Sequence, residues 1–301
     1  MEFKTLKAAA FQTAFSASPE DMLRLLAFIR FVAVEKHDFG AFAPSEIWRS
    51  WASETFVGFS SQGIMLHSGH CFAHSRISNP NTFGTAIRNS VWKPPQRIAT
   101  EKRFRRFYPE WNVDAKLAGL HPHAYFRAAE AIALSATTTT TRMLEIGAGS
   151  AVHLIARHRS NSGMRSVVID LPESICVAFA TLRALLPGAS IAMPHEEAKT
   201  TTDVVLRLPN QAFEGEFDFA FNMSSFQEMR IETVNAYLAL MREKVFSGGL
   251  IQSLNLRRSK QFEETCIENY MFADESSQKG APFVSSETRA AHVSAIYRCN
   301  R

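Results

Sequence analysis

Two glycines and two acids lie at the ends of consecutive apolar runs in the middle of the chain. Gly147 and Gly149 follow one run, Glu145 precedes the first glycine by two residues, and Asp170 directly follows the next run. Glycines at such a turn let a ligand approach backbone N–H groups, and a helix beginning there attracts an anionic group. A carboxylate at Glu145 suits an ammonium, and one at Asp170 suits two ribose hydroxyls.

Two common phosphate-binding patterns are missing from this turn. A dinucleotide-binding turn has a third glycine where this chain has Val152, and the Gly-Lys-Ser/Thr sequence of a P-loop is absent. A ligand that carries both an ammonium and a ribose is therefore favoured over a pyrophosphate. S-adenosylmethionine carries both groups.

Polar residues after a later apolar run are candidates for catalysis. The run 217–221 predicts a strand that leads to Asn222 and Met223, and Gln227 and Glu228 follow. A group transfer to a hydroxyl acceptor requires alignment of the acceptor and a general base. Glu228 is the first candidate base, and Gln227 is a candidate partner for a substrate hydroxyl. The alternative for Glu228 is a carboxylate that only stabilises a helix N-terminus.

Histidines are the other candidate bases. His195 follows a possible third strand and could lie near the adenine or the acceptor. His67, His70 and His74 are three and four residues apart, so a helix would place them on one face, where they could hold a metal ion. Gly69 and the surrounding serines weaken that helix, and no metal site is predicted.

Strands and helices alternate from Arg142 onward. This pattern predicts βαβ crossovers and a parallel sheet. The third strand is either Ser190–Met193 or Val204–Leu208. The other predicted strands are 143–146, 166–169, 217–221, 250–254 and 292–299, and the predicted helices are 152–158, 172–186 and 231–245.

The chain before this region has a different pattern. Ser18–Lys36 predicts a helix, 56–92 is expected to be irregular, and 123–134 predicts another helix. Thr137–Thr141 forms a polar link, because β-branched residues disfavour helix. We therefore predict an N-terminal, mainly helical cap or substrate region over 1–135 and a catalytic α/β region over 136–301.

The segment from Arg142 to Asn255 resembles class I S-adenosylmethionine-dependent methyltransferases, which have an acid-x-Gly-x-Gly turn after the first strand and an acid after the second. This chain departs from them at Ala151, where many members have a third glycine. The resemblance implies a Rossmann-like α/β sheet that binds S-adenosylmethionine and releases S-adenosylhomocysteine. The cofactor-binding residues that it implies are Glu145, Gly147, Ala148, Gly149, Asp170, Leu171, Asn222, Met223 and, for the cofactor carboxylate, Arg127.

A narrower resemblance concerns the acceptor. Ser225–Met229, Tyr237 and the pair Gly248-Gly249 are similar to a family of sugar O-methyltransferases. There the fifth strand ends in Asn-Arg, whereas here Leu256 separates Asn255 from Arg257. The resemblance implies O-methylation of a small hydroxylated acceptor, a sugar or a glycosylated metabolite.

Other functions stay open. One is a catalytically silent protein that binds S-adenosylmethionine or a partner protein. Another is methylation of a different small molecule, or of nucleic acid through the basic stretch Lys102–Arg106.

Composition narrows the class of protein. Of 301 residues, 46% are apolar and 21% are charged, which excludes a disordered chain. The net charge of +4 is too small to indicate nucleic-acid binding, and the four cysteines lack the short spacings of a disulfide framework or metal site. No early apolar run reaches the roughly 20 residues of a membrane span. We expect a cytoplasmic enzyme with a small-molecule substrate, and a homodimer is left open.

Overall fold

The computed structural model describes residues 13–35, 37–52, 55–61, 63–67, 140–257, 262–271 and 292–299. Several predicted features lie outside these residues: the helix 123–134, Arg127, His70, His74, Lys102–Arg106 and the boundary between 135 and 136. They stay predictions.

The described N-terminal part combines helices with a small antiparallel sheet. Strands β1 (Thr13–Ser16), β2 (Phe56–Ser60) and β3 (Gly63–His67) pair in the order β1-β3-β2. Helix α1 (Pro19–Val34) begins after Ser18, whose side chain accepts a hydrogen bond from the Asp21 amide, as the sequence predicts. Helix α2 spans Glu46–Ala52.

The expectation of irregular structure from residue 56 is wrong for the hairpin formed by β2 and β3. The turn needs Gly63, because its φ is +137° and a Cβ there would lie 2.0 Å from the Phe15 carbonyl oxygen. Ile64 and Leu66 alternate into the core, a period of two that the intervening Met65 obscures in the sequence. His67 lies in a strand, so it does not share a helix face with the later histidines.

The later strands form one seven-stranded sheet. They are β4 (Arg142–Ile146), β5 (Arg165–Ile169), β6 (Ile191–Ala192), β7 (Val204–Arg207), β8 (Phe217–Met223), β9 (Val245–Leu256) and β10 (His292–Arg298). Their order in the sheet is β6-β7-β5-β4-β8-β9-β10. All neighbouring pairs are parallel except β9 and β10, which are antiparallel. The expected Rossmann-like α/β sheet is confirmed.

Helices α3 (Val152–Ser160), α4 (Pro172–Leu185) and α5 (Ile231–Lys244) connect the strands close to the predicted positions. Both candidates for the third strand are strands, since β6 and β7 pair side by side. The Ser190 amide and hydroxyl donate to the Asp203 carboxylate at 2.8 Å, which joins the starts of the two strands. Strand β9 begins before the glycine pair 248–249 instead of after it.

The described N-terminal part shares a hydrophobic core with the large sheet. Phe15, Leu25, Phe28 and Ile64 belong to the same buried cluster as the apolar residues of α3 and α4. A second cluster packs α5 against the other face of the sheet. No helix among the described residues is long and apolar enough to cross a membrane.

Candidate active site

The glycine turn follows β4 at the carboxyl edge of the sheet, next to the point where strand order reverses between β4 and β8. Ligands of open α/β sheets bind at such a point. Gly147 has a φ of +68°, and a Cβ there would lie 2.2 Å from the Ser225 hydroxyl oxygen, so the turn can approach the loop after β8 only with glycine. Gly149 has a φ of +55° and no described atom within 4 Å of its Cβ position, which leaves room above the turn.

Ala151 occupies the position of the third glycine. Its φ of +55° lies in the left-handed region, and the residue is buried immediately before α3. This conformation costs an L-residue about 1–2 kcal/mol. The backbone therefore keeps the geometry of a glycine-rich turn although the third glycine is absent.

Asp170 connects the glycine turn to the end of β5. Its Oδ2 accepts a hydrogen bond from the Gly149 amide at 2.8 Å, and its Oδ1 accepts one from the Leu171 amide at 2.8 Å. Burial raises the pKa of Asp170 to about 6, against the lowering effect of the two amides. Each carboxylate oxygen has a second lone pair that can accept a hydroxyl.

Glu145 lies beneath the turn and is 2% exposed. Burial raises its pKa to about 8; the Arg157 guanidinium opposes this shift, and the Asp170 carboxylate adds to it. The Oε2 atom has no hydrogen-bond partner among the described residues. Two buried carboxyl groups with raised pKa values therefore lie close enough to influence each other.

A neutral hydrogen-bond network occupies the ends of β8 and β9. Asn222 donates to the Ile146 carbonyl at 2.8 Å and to the Ser225 hydroxyl, with which it forms a short contact. Asn255 donates to Asn222 Oδ1 at 2.7 Å and to the Ser253 hydroxyl at 2.8 Å. Both asparagine amides are fully buried and use both N–H groups.

The predicted catalytic segment is attached to this network. Gln227 and Glu228 lie in a 3₁₀ helix, Phe226–Glu228. The backbone N–H of Gln227 donates a hydrogen bond to Asn255 Oδ1 at 3.3 Å. Glu228 is buried, and its carbonyl accepts a hydrogen bond at 2.8 Å from the Ser45 hydroxyl, just before α2. Met223, at the end of β8, is half-buried. The structure thus places the segment at the same edge as the glycine turn.

His195 has different neighbours. Its ring lies 6.0 Å from that of Phe28 and 6.1 Å from that of Phe31, both in α1. Burial lowers its pKa, so the imidazole is neutral at neutral pH and can accept a proton. The adjacent Glu196 pairs with Arg24 of α1 at 2.6 Å. No contact recorded in the described part of the chain joins His195 to the glycine turn or to Glu228.

The site also contains polar residues that no sequence motif identifies. His153 and Arg157 of α3 lie behind Glu145 and are buried. Their spacing of four residues on one helix next to a glycine turn is the signal that could have identified them.

The described residues hold no group of three metal-ligating side chains.

No family model and no curated protein sequence matches the chain. Three solved structures that it resembles are methyltransferases. The apo S-adenosylmethionine-dependent methyltransferase SibL is 14% identical, with 81% of each chain covered and a TM-score of 0.43. Human N-acetylserotonin methyltransferase in complex with SAM is 9% identical, with 82% of this chain and 79% of that chain covered and a TM-score of 0.41. An O-methyltransferase from Bacillus cereus in complex with SAH is 16% identical, with 57% and 71% covered and a TM-score of 0.32.

Proposed function

We propose that the protein is an S-adenosylmethionine-dependent methyltransferase that methylates an oxygen of a small hydroxylated acceptor. The observation that carries this proposal is the pair of buried carboxyl groups, Glu145 and Asp170, at the glycine turn. Burial raises the pKa of Glu145 to about 8 and that of Asp170 to about 6. An apolar ligand would leave the free-energy cost of burying these two carboxyl groups uncompensated. A ligand with an ammonium, a sulfonium and a ribose would complement both carboxylates.

The residues at the edge suit the parts of this cofactor. Glu145 Oε2, which has no partner among the described residues, would accept the ammonium, and Asp170 would accept the ribose hydroxyls. Ala148, Leu171, Asn222 and Met223 complete the proposed cofactor site by their positions at the ends of β4, β5 and β8. Arg127 stays in the proposal as a partner for the cofactor carboxylate.

S-adenosylmethionine, when bound, supplies a methyl group on a positively charged sulfur, which an acceptor oxygen displaces. The protein's own task is to orient the acceptor and remove its proton. Glu228 is the proposed base, Gln227 the proposed hydrogen-bond partner of the acceptor hydroxyl, and His195 an alternative base because its imidazole is neutral. The network around Asn255 supports this assignment, since it attaches the Gln227 backbone to β9.

We propose a sugar or glycosylated metabolite as the acceptor, on the resemblance in Ser225–Met229. A cavity beyond the end of β9 supports a polar acceptor. It has a volume of about 370 Å³ and is lined by Arg257, Cys266, Glu268 and Asn269. Ligand sites have volumes in this range, and the Arg257–Glu268 ion pair and the Asn269 amide offer hydrogen-bond donors and acceptors for a hydroxylated ligand.

The test is methyl transfer from labelled S-adenosylmethionine to panels of sugars, glycosides and phenols. Glu228→Gln should lower kcat by about 10²–10⁴-fold and change cofactor affinity less than about twofold, because it removes only the proton acceptor. Glu232→Gln, an exposed acid at the start of α5, is the matched control and should retain full activity. A near-normal rate for Glu228→Gln would exclude it as the base. Tight cofactor binding without transfer to any acceptor would favour the catalytically silent alternative.

A further inference from the structure

Two buried residues of α3 form a polar chain behind Glu145. The Arg157 Nε–H donates a hydrogen bond to His153 Nε2 at 3.0 Å, so the proton of a neutral His153 is on Nδ1. That Nδ1 is the described nitrogen that faces the carboxyl group, at 3.6 Å from Glu145 Oε1, which is longer than a hydrogen bond. His153 is 1% exposed and Arg157 is 5% exposed.

Aromatic rings hold this chain in place. The His153 ring stacks on Phe221 of β8 with 3.9 Å between ring centroids, and the Arg157 guanidinium lies 4.6 Å from the ring centroid of Phe219. Burial and the Arg157 charge keep the pKa of His153 well below its ordinary range, so its ring is neutral. Burial lowers the pKa of Arg157 to about 10, which still leaves it charged at neutral pH.

We propose that His153 and Arg157 are positioning residues that hold Glu145 to receive the ammonium of the amino-acid part of S-adenosylmethionine. This inference rests on the proposed function. A guanidinium behind the carboxyl group favours its ionised form, which an ammonium requires. His153 faces Oε1, and this leaves Oε2 for the ligand.

A purely structural role would not require this arrangement. Apolar side chains would fill the same space beneath the turn without the cost of burying a carboxyl, an imidazole and a guanidinium together. His158 provides an internal comparison, because it lies on the same helix and is also buried. Its Nε2 forms a hydrogen bond with the Ser166 hydroxyl at 2.9 Å, and it has no recorded contact with Glu145 in the described part of the chain.

The affinities for two ligands distinguish a loss of the positioning of Glu145 from a general destabilisation of the protein. S-adenosylhomocysteine contains the ammonium, whereas 5′-methylthioadenosine has the same adenosine and thioether without the amino-acid part. In Arg157→Gln and His153→Phe, the affinity for S-adenosylhomocysteine should fall about tenfold or more, and that for 5′-methylthioadenosine should change less than about twofold. His153→Phe keeps a flat ring against Phe221. His158→Gln is the matched control and should leave both affinities unchanged.

Arg157→Lys keeps the positive charge without the same hydrogen bond to His153, so it should restore most of the affinity that Arg157→Gln loses. If Arg157→Gln does not fold, the comparison of Arg157→Lys and His153→Phe still tests the inference. Equal weakening of both ligands, or no weakening of either, in variants that fold would overturn the positioning role while the proposed function stands. If the wild-type protein binds neither ligand, the proposed function itself fails.

Discussion

The ends of β4 and β5 carry two buried carboxyl groups, of which Glu145 has an oxygen without a hydrogen-bond partner among the described residues, whereas the ends of β8 and β9 carry neutral side chains that are hydrogen-bonded to each other. On the first side, Glu145 and Asp170 are buried carboxyl groups with raised pKa values. On the second side, Asn222 and Asn255 use all their amide hydrogens within the protein. Under the proposed function this difference corresponds to separate tasks: the first side would recognise the ammonium of the cofactor, and the second would hold the predicted catalytic segment.

The largest effect is expected where the two sides touch, at Gly147. Gly147→Ala would place a Cβ 2.2 Å from the Ser225 hydroxyl oxygen at a positive φ. Strain and overpacking together should lower the free energy of unfolding by about 2–5 kcal/mol. Urea unfolding measures this. Gly149→Ala is the control, since Gly149 also has a positive φ but no described atom lies within 4 Å of its Cβ position. Its free energy of unfolding should fall by only about 1–2 kcal/mol. Equal losses in the two variants would contradict the contact.

The next effect concerns Asp170. Asp170→Ala would remove the charge-assisted contacts proposed for the ribose, so the affinity for S-adenosylhomocysteine should fall more than tenfold, or roughly 1.5–3 kcal/mol. Calorimetric titration measures this affinity. The free energy of unfolding should fall by less than the free energy of binding does. The substitution removes the hydrogen bonds from Gly149 and Leu171, but it also removes the cost of burying a carboxyl group. Unchanged affinity would show that Asp170 does not hold the ribose.

The opposite pattern is expected on the neutral side. Asn255→Leu leaves Asn222 Oδ1 without its donor and should lower the free energy of unfolding by about 1–3 kcal/mol. The affinity for S-adenosylhomocysteine should change less than it does in Asp170→Ala, because no charge at the glycine turn is altered. Thermal unfolding and titration of the same preparation measure both quantities. A larger loss of affinity than of stability would contradict the division of tasks.

A further effect appears as a dependence of stability on pH. The pKa of Glu145 is raised to about 8 in the folded protein, against an ordinary 4.5. Its neutral form therefore contributes stability that is complete below pH 4.5 and is lost as pH rises through 8. Glu145→Gln is neutral throughout, so its stability relative to the wild type should increase from pH 5 to pH 9. Thermal unfolding without ligand measures this, with Glu232→Gln as the control. A difference that is independent of pH would show that Glu145 is already ionised.

Much of the seven-stranded sheet is predictable from sequence, because its strands are continuous apolar runs separated by segments with helical periodicity. Arg142–Ile146 and Arg165–Ile169 fit that pattern, and Asp170 lies where the sequence places it. The third strand was ambiguous because two short runs both contribute, joined at their starts by Asp203. The pairing of β2 with β3 is not predictable from local sequence, because Gly63 is required by a contact with Phe15, which is distant in sequence.

The site was predictable as far as the glycine turn and its two acids. The contributions of Asn255, His153 and Arg157 were not, because each depends on which side chain lies opposite once the sheet has formed. Asn222 and Asn255 are 33 residues apart in sequence, yet their side chains share a hydrogen bond. The placement of His195 against Phe28 and Phe31 likewise depends on how α1 packs beside the loop after β6.

The most direct test of the central claim is a calorimetric titration of the wild-type protein with S-adenosylhomocysteine at pH 7 in two buffers of different ionisation enthalpy. With a pKa of about 8, Glu145 is mostly protonated in the free protein and must lose its proton to pair with an ammonium. We expect binding at one site with net release of protons. Absence of binding, or binding without proton release, would contradict the proposal that these buried carboxyl groups recognise the cofactor.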